Sequence, residues 1–503
     1  MSGRSQLLIK NVFYNYFSEA WFLLLVFVTT PYIVNTLGVE SYGILSIVNV
    51  LVGYLTMMEM GFGDSIVKYV AEYHVKKNEG ILSAIIGNAF FVLFIAGLTG
   101  TALLTLLNGF IVNRVLHISA PMVHTARVVF YITAVGFFFT MITSTFTAIP
   151  KALQRFDITN KVIIVMGTAQ TLLAVFLLYL GYDLESIALL NFSVTVISFL
   201  TYRTISTRLL RCKSLRPVFN KETFTKMISF GSYIAISNIA AKVATYTNQL
   251  LIGIYLPIAN VSYYVIPQSL AFKLWVIPSS ISKVIFPAFS ELQGLDDVEN
   301  VRKLYLRTTK YVMILVTSPM ILMILFAKKF LVLWIGKEFA IHGAIVLQIL
   351  TFSVWLSSCA WVSMVAARSF GRADFPAKLN VMQAFMNIGF SILLIPIWGV
   401  KGAAIAWGLH HVIAVPVLIW WTTKKLISIS AKHYYWKGYA QPILISVLFT
   451  FPVYLLKELS WFNNIYYLLG VCFLVYLLNL FAAYLLLFDL DEKRAFGFSY
   501  RYV

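Results

Sequence analysis

Arg155-Phe156-Asp157-Ile158-Thr159-Asn160-Lys161 and Arg372-Ala373-Asp374-Phe375-Pro376-Ala377-Lys378 share the pattern R-x-D-x-x-x-K, 217 residues apart. Gly181 and Ile187-Ala188 recur at nearly the same offset as Gly399 and Ile405-Ala406. Fainter echoes join Leu37–Gly43 to Leu256–Tyr264 and Glu72 to Glu291. Locally, such an Arg and Asp can pair and cap a helix end on the cytoplasmic side. Their duplication bears on architecture.

Working outward from the two motifs, apolar runs of membrane-crossing length fill the chain. They fall near 17–37, 42–60, 81–107, 125–149, 162–180, 184–205, 224–256, 258–289, 305–327, 340–367, 379–398, 402–421, 439–457 and 463–488. Each is long enough to cross ~30 Å of hydrocarbon. The composition agrees: 60% of the 503 residues are hydrophobic and 12% charged, about half the charge of an ordinary soluble domain. The expected fold is an all-α polytopic membrane protein of about 14 transmembrane helices without a soluble domain. The run from Trp21 to Val34 lacks a small-residue cleavage pattern and is read as a retained first helix.

An even number of spans puts both termini on one side, and the basic residues test this. Even-numbered connections and the two tails hold 29 of the 39 Lys and Arg; odd-numbered connections hold 7; Lys242, Lys273 and Lys283 fall inside spans. The basic side is expected to be cytoplasmic. The net charge of +19 is then positive-inside bias and attraction to anionic headgroups, not a nucleic-acid surface. Cys212, Cys359 and Cys472 are too scattered for a metal site or disulfide framework. No phosphate-loop sequence G-x-x-x-x-G-K-[ST] occurs, so transport energy of that type is not expected within the chain.

The repeat unit is six spans, so both copies keep one orientation. This predicts two parallel six-helix bundles with a substrate path between them. The expected organisation is 1–205 and 224–421 as the bundles, 206–223 and 422–438 as basic cytoplasmic connections, 439–488 as two additional spans, and 489–503 as a cytoplasmic tail.

Charge inside a membrane span costs roughly 2.5–3.5 kcal/mol on insertion scales, so such residues turn toward protein or water. Lys242 heads a stripe with Asn238, Thr245, Tyr246 and Gln249; Lys273 shares a face with Ser262, Ser269 and Ser280. Two such stripes suit an anion, each ammonium acting as a point charge toward phosphate. The blander reading pairs each lysine with an internal carboxylate, such as Glu19 or Glu59. Those two are also the acidic residues best placed to bind a coupling cation or proton. Asn380, Gln383, Asn387 and Ser391 line a face of span 11, where small polar groups could equally join helices. His410-His411 could relay protons or pack. Pro267, Pro278 and Pro287 in span 8, with Gly231, Gly253 and Pro257 in and after span 7, mark this pair as the bending element.

The pattern resembles the polysaccharide-transport branch of the multidrug/oligosaccharidyl-lipid/polysaccharide exporter superfamily, the O-antigen-unit flippases. The resembling text is Leu37-Gly38 to Tyr42-Gly43, Gly61-Phe62-Gly63 through Tyr69-Val70-Ala71-Glu72, Leu153 to Asp157 with Asn160, Asn248 to Gly253 followed by Tyr263-Tyr264, Pro278 through Ala288, and Leu333 to Gly336. The resemblance implies two six-helix bundles in a V, a bacterial inner membrane, and a polyprenyl-pyrophosphate oligosaccharide as substrate. It also implies charged residues lining a central cavity, with Lys242 and Lys273 the candidates here. Where such sequences often carry an acidic residue before the Ile-Gly pair of helix 7, this chain has Asn248, so carboxylate coupling is not carried over to that position. Expected partners are lipid-linked oligosaccharide, membrane lipids and polysaccharide polymerase or export machinery, with no cofactor, metal or nucleic acid and no enzymatic activity. The alternatives are a drug/cation antiporter of the same superfamily, a lipid II-type flippase, and a polysaccharide polymerase or ligase. For the last, the external segment 108–124 is too small.

Overall fold

The computed structural model describes residues 2–210, 219–455 and 460–495 and contains no strand among them. Two compact units, Met1–Ser262 and Tyr263–Val503, divide the chain. The first holds α1 (Ser2–Leu55), α2 (Phe62–Val75), α3 (Glu79–Phe110), α4 (Val123–Ala152), α5 (Phe156–Tyr179), α6 (Leu184–Leu210), α7 (Lys221–Tyr255) and the first turn of α8 (Ala259–Phe272). The second holds the rest of α8, then α9 (Val276–Gly294), α10 (Val298–Trp334), α11 (Lys337–Cys359), α12 (Trp361–Ser369) and α13 (Asp374–Trp421). It ends with α14 (Ala431–Tyr435), α15 (Gln441–Leu455), α16 (Ile465–Leu487) and α17 (Leu490–Ala495).

Eleven stretches among the described residues are long and apolar enough to cross a membrane, and the chain is a multi-pass membrane protein. Two of them, 20–59 and 374–426, each hold two of the spans expected from sequence. The first breaks at Gly38 (φ 79°, ψ 157°) and the second at Gly399 (φ 60°, ψ −140°). Positive φ there suits glycine, which has no Cβ to clash. α7 carries the polar stripe and is not among the eleven. Large apolar side chains such as Leu106 (80% exposed), Phe385 (71%) and Leu486 (67%) point outward, as a hydrocarbon-facing surface requires.

The duplication read from sequence recurs as backbone geometry. Gln154 (φ 55°) and Gly371 (φ 69°) both turn left-handed. The following amides, of Arg155 and Arg372, donate to the carbonyls of Pro150 (2.8 Å) and Ala367 (2.9 Å). Arg155 pairs with Asp157 at 3.0 Å and Arg372 with Asp374 at 3.3 Å. Lys77 (φ 52°) and Asp296 (φ 53°) form a second matching pair of turns. Asn78 and Asp297 then cap α3 and α10, accepting from the amides of Ile81 and Asn300, both at 3.1 Å.

Three features depart from the sequence reading. The connection after span 2 is not a loop. It contains α2, whose Phe62, Ile66, Tyr69 and Val70 are buried at helical spacing against α3, α4 and α7. Span 10 breaks at Ala360 into α11 and α12. α7, placed by the sequence in the second bundle, packs against α1, α2 and α3, so the first unit runs on to Ser262. The Ser65 hydroxyl donates to the Met227 carbonyl at 2.9 Å, and Met227 is fully buried in the α2–α4 core.

Candidate functional site

Polar chemistry in the first unit collects where α1 ends. The helix tightens into a 3₁₀ turn at Thr56–Glu59, and Met60 (φ 49°) and Gly61 (φ 73°) reverse the chain into α2. A Cβ on Gly61 would overlap the Gly231 carbonyl of α7, and one on Gly63 would overlap the Glu59 carboxylate. The Gly61-Phe62-Gly63 sequence therefore allows α7 and a carboxylate to approach the turn.

This packing leaves a cleft of about 220 Å³ lined by Thr56, Glu59, Asp64, Lys151, Asn238 and Lys242, among others. Lys242 Nζ donates to Thr56 Oγ1 at 2.6 Å. Glu59 Oε1 accepts from the Ser144 hydroxyl at 2.5 Å. Among the described residues no ion pair within 4 Å joins Lys242 to Glu59, so the two charges face the same space through different partners. A second cleft of about 450 Å³ adjoins Glu59, with Thr143, Ser144, Gln170, Thr195 and Ser198 in its wall. The pair of clefts offers an ammonium that can meet an anion and a carboxylate that can take a cation or proton.

Of the candidates read from sequence, Lys242, Asn238 and Glu59 come together here. Further along α7, Tyr246 lies 6.0 Å from the Tyr54 ring and against Gly53, and Gln249 is buried. Gly253 lies against Ile47. Pro257 bridges in parallel to His117, whose carbonyl accepts from the Ile258 amide at 2.9 Å. The side chain of Glu19 lies outside the described residues.

Lys273 and Ser269 belong to the second unit. Lys273 is exposed in the 3₁₀ turn Lys273–Trp275 that separates α8 from α9. Pro267 lies within α8, and Pro278, buried in the first turn of α9, has no amide to continue the helix through the turn. Ser269 donates to the Ile266 carbonyl of its own helix at 2.8 Å. His410 and His411 are buried beside Trp407.

Asp64, Lys151 and Ser144 were missed as cleft residues. Asp64 directly follows the Gly61–Gly63 text, which was the available signal. Lys151 falls among the basic residues of the even-numbered connections, which carry an orientation signal and no site signal. A cavity of about 150 Å³ in the second unit was also missed; its wall includes Trp275, Trp361, Gln383 and His411.

The family described as polysaccharide biosynthesis protein matches residues 8–293, more than half of the chain, and the chain belongs to that family. A Shigella flexneri protein named "Putative O-antigen transporter" is 24% identical over 420 residues, covering 83% of this chain and 98% of the relative. Among solved structures, the lipid II flippase MurJ in an inward closed conformation matches with a TM-score of 0.72 at 13% identity, over 95% of this chain and 99% of that one. An inward-facing multidrug resistance MATE family transporter of the MOP superfamily matches with a TM-score of 0.69 at 14% identity, over 80% and 94%. At such identities these likenesses concern the fold alone.

Proposed function

We propose that this member of the polysaccharide biosynthesis protein family is a flippase. It carries a polyprenyl-pyrophosphate-linked oligosaccharide from the cytoplasmic to the outer leaflet of a bacterial inner membrane by alternating access, supplying O-antigen, capsule or exopolysaccharide synthesis. Fourteen spans, cytoplasmic termini and a downstream polymerase or export machinery belong to the same reading. The observation that carries it is the charged cleft around Lys242 inside an all-helical membrane unit. A half-buried ammonium that, among the described residues, donates to a neutral hydroxyl keeps N–H groups for an incoming phosphate, and charge-assisted bonds of this kind are the strong ones. Asn238, Tyr246 and Gln249 would contact sugar or phosphate, and Lys273 and Ser269 would serve in the second unit. Glu59, with Glu19, would take the coupling ion. The breaks at Gly253, Pro257, Pro267 and Pro278 would bend as access alternates.

Deleting the gene tests the reading. Lipid-linked oligosaccharide should accumulate on the cytoplasmic leaflet, and Lys242→Ala and Lys273→Ala should each restore export poorly. A second reading, drug/cation exchange, draws on Glu59 and Asp64 in the same cleft. It predicts drug sensitivity on deletion with no loss of surface glycan.

A further inference from the structure

The cavity in the second unit lies between the α8–α9 turn, α11, α12 and α13. Trp275, Ser357, Trp361, Asn380, Gln383 and His411 are in its wall, and among the described residues no Lys, Arg, Asp or Glu lines it. At about 150 Å³ it exceeds the roughly 10–15 Å³ that one water needs and suits a single ring better than an extended molecule.

Its aromatic walls are held by hydrogen bonds and ring contacts. Trp275 Nε1 donates to Ser357 Oγ at 2.9 Å and Trp361 Nε1 to Ser282 Oγ at 2.5 Å. Both indole N–H groups are therefore occupied by protein, so an occupant would meet ring surface: Trp361 and the part of Trp275 that Phe272 leaves uncovered. The ring centroids stand 6.2 Å apart at 49°. Phe272, stacked at 4.4 Å, and Trp407 at 5.8 Å brace Trp275 from behind. Into the same cavity comes His411, which is only 8% exposed and has no hydrogen-bond partner on either ring nitrogen among the described residues. The amides of Gln383 and Asn380 complete the polar edge.

Each candidate occupant makes a different demand. A phosphate needs cations, and none lines the cavity. A polyprenyl tail would fit the indoles but leave the buried His411 imidazole unsatisfied, a cost native proteins avoid. An uncharged pyranose meets both demands. Its C–H face is positive where the indole face is negative, and its hydroxyls donate to and accept from imidazole and amide. The geometry points to a subsite for one neutral sugar ring in the second unit, with Trp361 and Trp275 as platforms and His411 and Gln383 as hydroxyl partners. This rests on the flippase reading for the source of the sugar.

The test uses the full-length protein in lipid nanodiscs. Met364→Cys, in the cavity wall but outside the proposed sugar contacts, is alkylated with N-ethylmaleimide, and modification of position 364 is followed by peptide mass spectrometry with Cys472 as the internal reference. Ala414→Cys, also in the wall, serves as the second variant if the first does not fold. Methyl α-glucopyranoside and methyl α-galactopyranoside are the probes, with inorganic pyrophosphate and farnesol as controls. At least one glycoside should slow modification about threefold at twice its Kd, with neither control doing so. Trp361→Ala should abolish the protection and Trp361→Phe should retain it. Protection by farnesol or pyrophosphate alone, no protection, or protection unchanged in Trp361→Ala would overturn the subsite. The two readings fail separately. Oligosaccharide accumulation on deletion without glycoside protection removes the subsite and leaves the flippase. Protection without accumulation does the reverse.

Discussion

The cavities of the two units are built from opposite materials. The first-unit cleft is charged, with Lys242, Lys151, Glu59 and Asp64 around a helix break held open by glycines. The second-unit cavity is neutral and aromatic, with hydrogen-bonded indoles and a buried imidazole. Both form at the same place in the repeat, since the 3₁₀ turn beginning at Thr56 has its counterpart 217 residues on, at Lys273. The same kind of break is thus furnished in two ways. The first copy can handle charge, and the second has the chemistry for hydroxylated rings.

The largest expected effect breaks the charged side of this comparison. Lys242→Ala removes a charged donor worth about 1.5–3 kcal/mol, so transport of the lipid-linked unit in membrane vesicles should fall roughly 10- to 100-fold. Lys242→Arg should retain part of it. Equal activity of Lys242→Ala and the native chain would make the lysine a mere helix anchor.

Gly61→Val should come next, acting on the scaffold. It forces a β-branched residue into a left-handed turn, at about 1–3 kcal/mol, and its Cβ meets the Gly231 carbonyl. The melting temperature in detergent should drop clearly, with Gly181→Ala as the strained control whose Cβ meets nothing. Trp361→Ala should weaken transport by a smaller factor, roughly 2- to 10-fold, in line with about 0.5–1.5 kcal/mol for an aromatic contact. Its effect should vary with the sugar carried, whereas that of Lys242→Ala should not.

The smallest effect concerns neither cavity. Glu492 of α17, almost fully buried, accepts from Lys310 at 2.7 Å, Tyr311 at 2.9 Å and the Asp489 amide at 2.8 Å. Burial pushes its carboxyl up, but these hydrogen bonds prevail and hold it below its ordinary value. Docking of α17 is therefore strengthened at pH above the unfolded carboxyl value of about 4.3, and this contribution is lost as pH falls through the lower folded value. The protection factors of α17 amides, with the intrinsic pH dependence divided out, should be high at neutral pH and fall only in stronger acid. Glu492→Gln should lower them at pH 7 with little change in transport.

Much of the fold was legible because a membrane span is written as a run of apolar residues, and a duplicated turn keeps its Arg and Asp. α2 was hidden because the stretch between the spans at 42–60 and 81–107 is too charged and too short to count as a span, although Phe62, Ile66 and Val70 carry the helical period. The side of α7 was hidden because its partner is chosen by fit: Gly61 against Gly231 is a contact that no spacing reveals. Lys242 and Asn238 were readable as a stripe, and their meeting with Glu59 was not. Trp275 and Trp361 went unread because isolated tryptophans in apolar runs look like ordinary core, and their pairing is set by the turn at 273–275 and the break at Ala360.

The most direct test of the account is the leaflet distribution of lipid-linked oligosaccharide in cells lacking the gene and complemented with native, Lys242→Arg or Lys242→Ala chains. The account predicts that the cytoplasmic-leaflet pool is cleared by the native chain, partly cleared by Lys242→Arg, and left standing by Lys242→Ala. Clearance by Lys242→Ala equal to that of the native chain would contradict it.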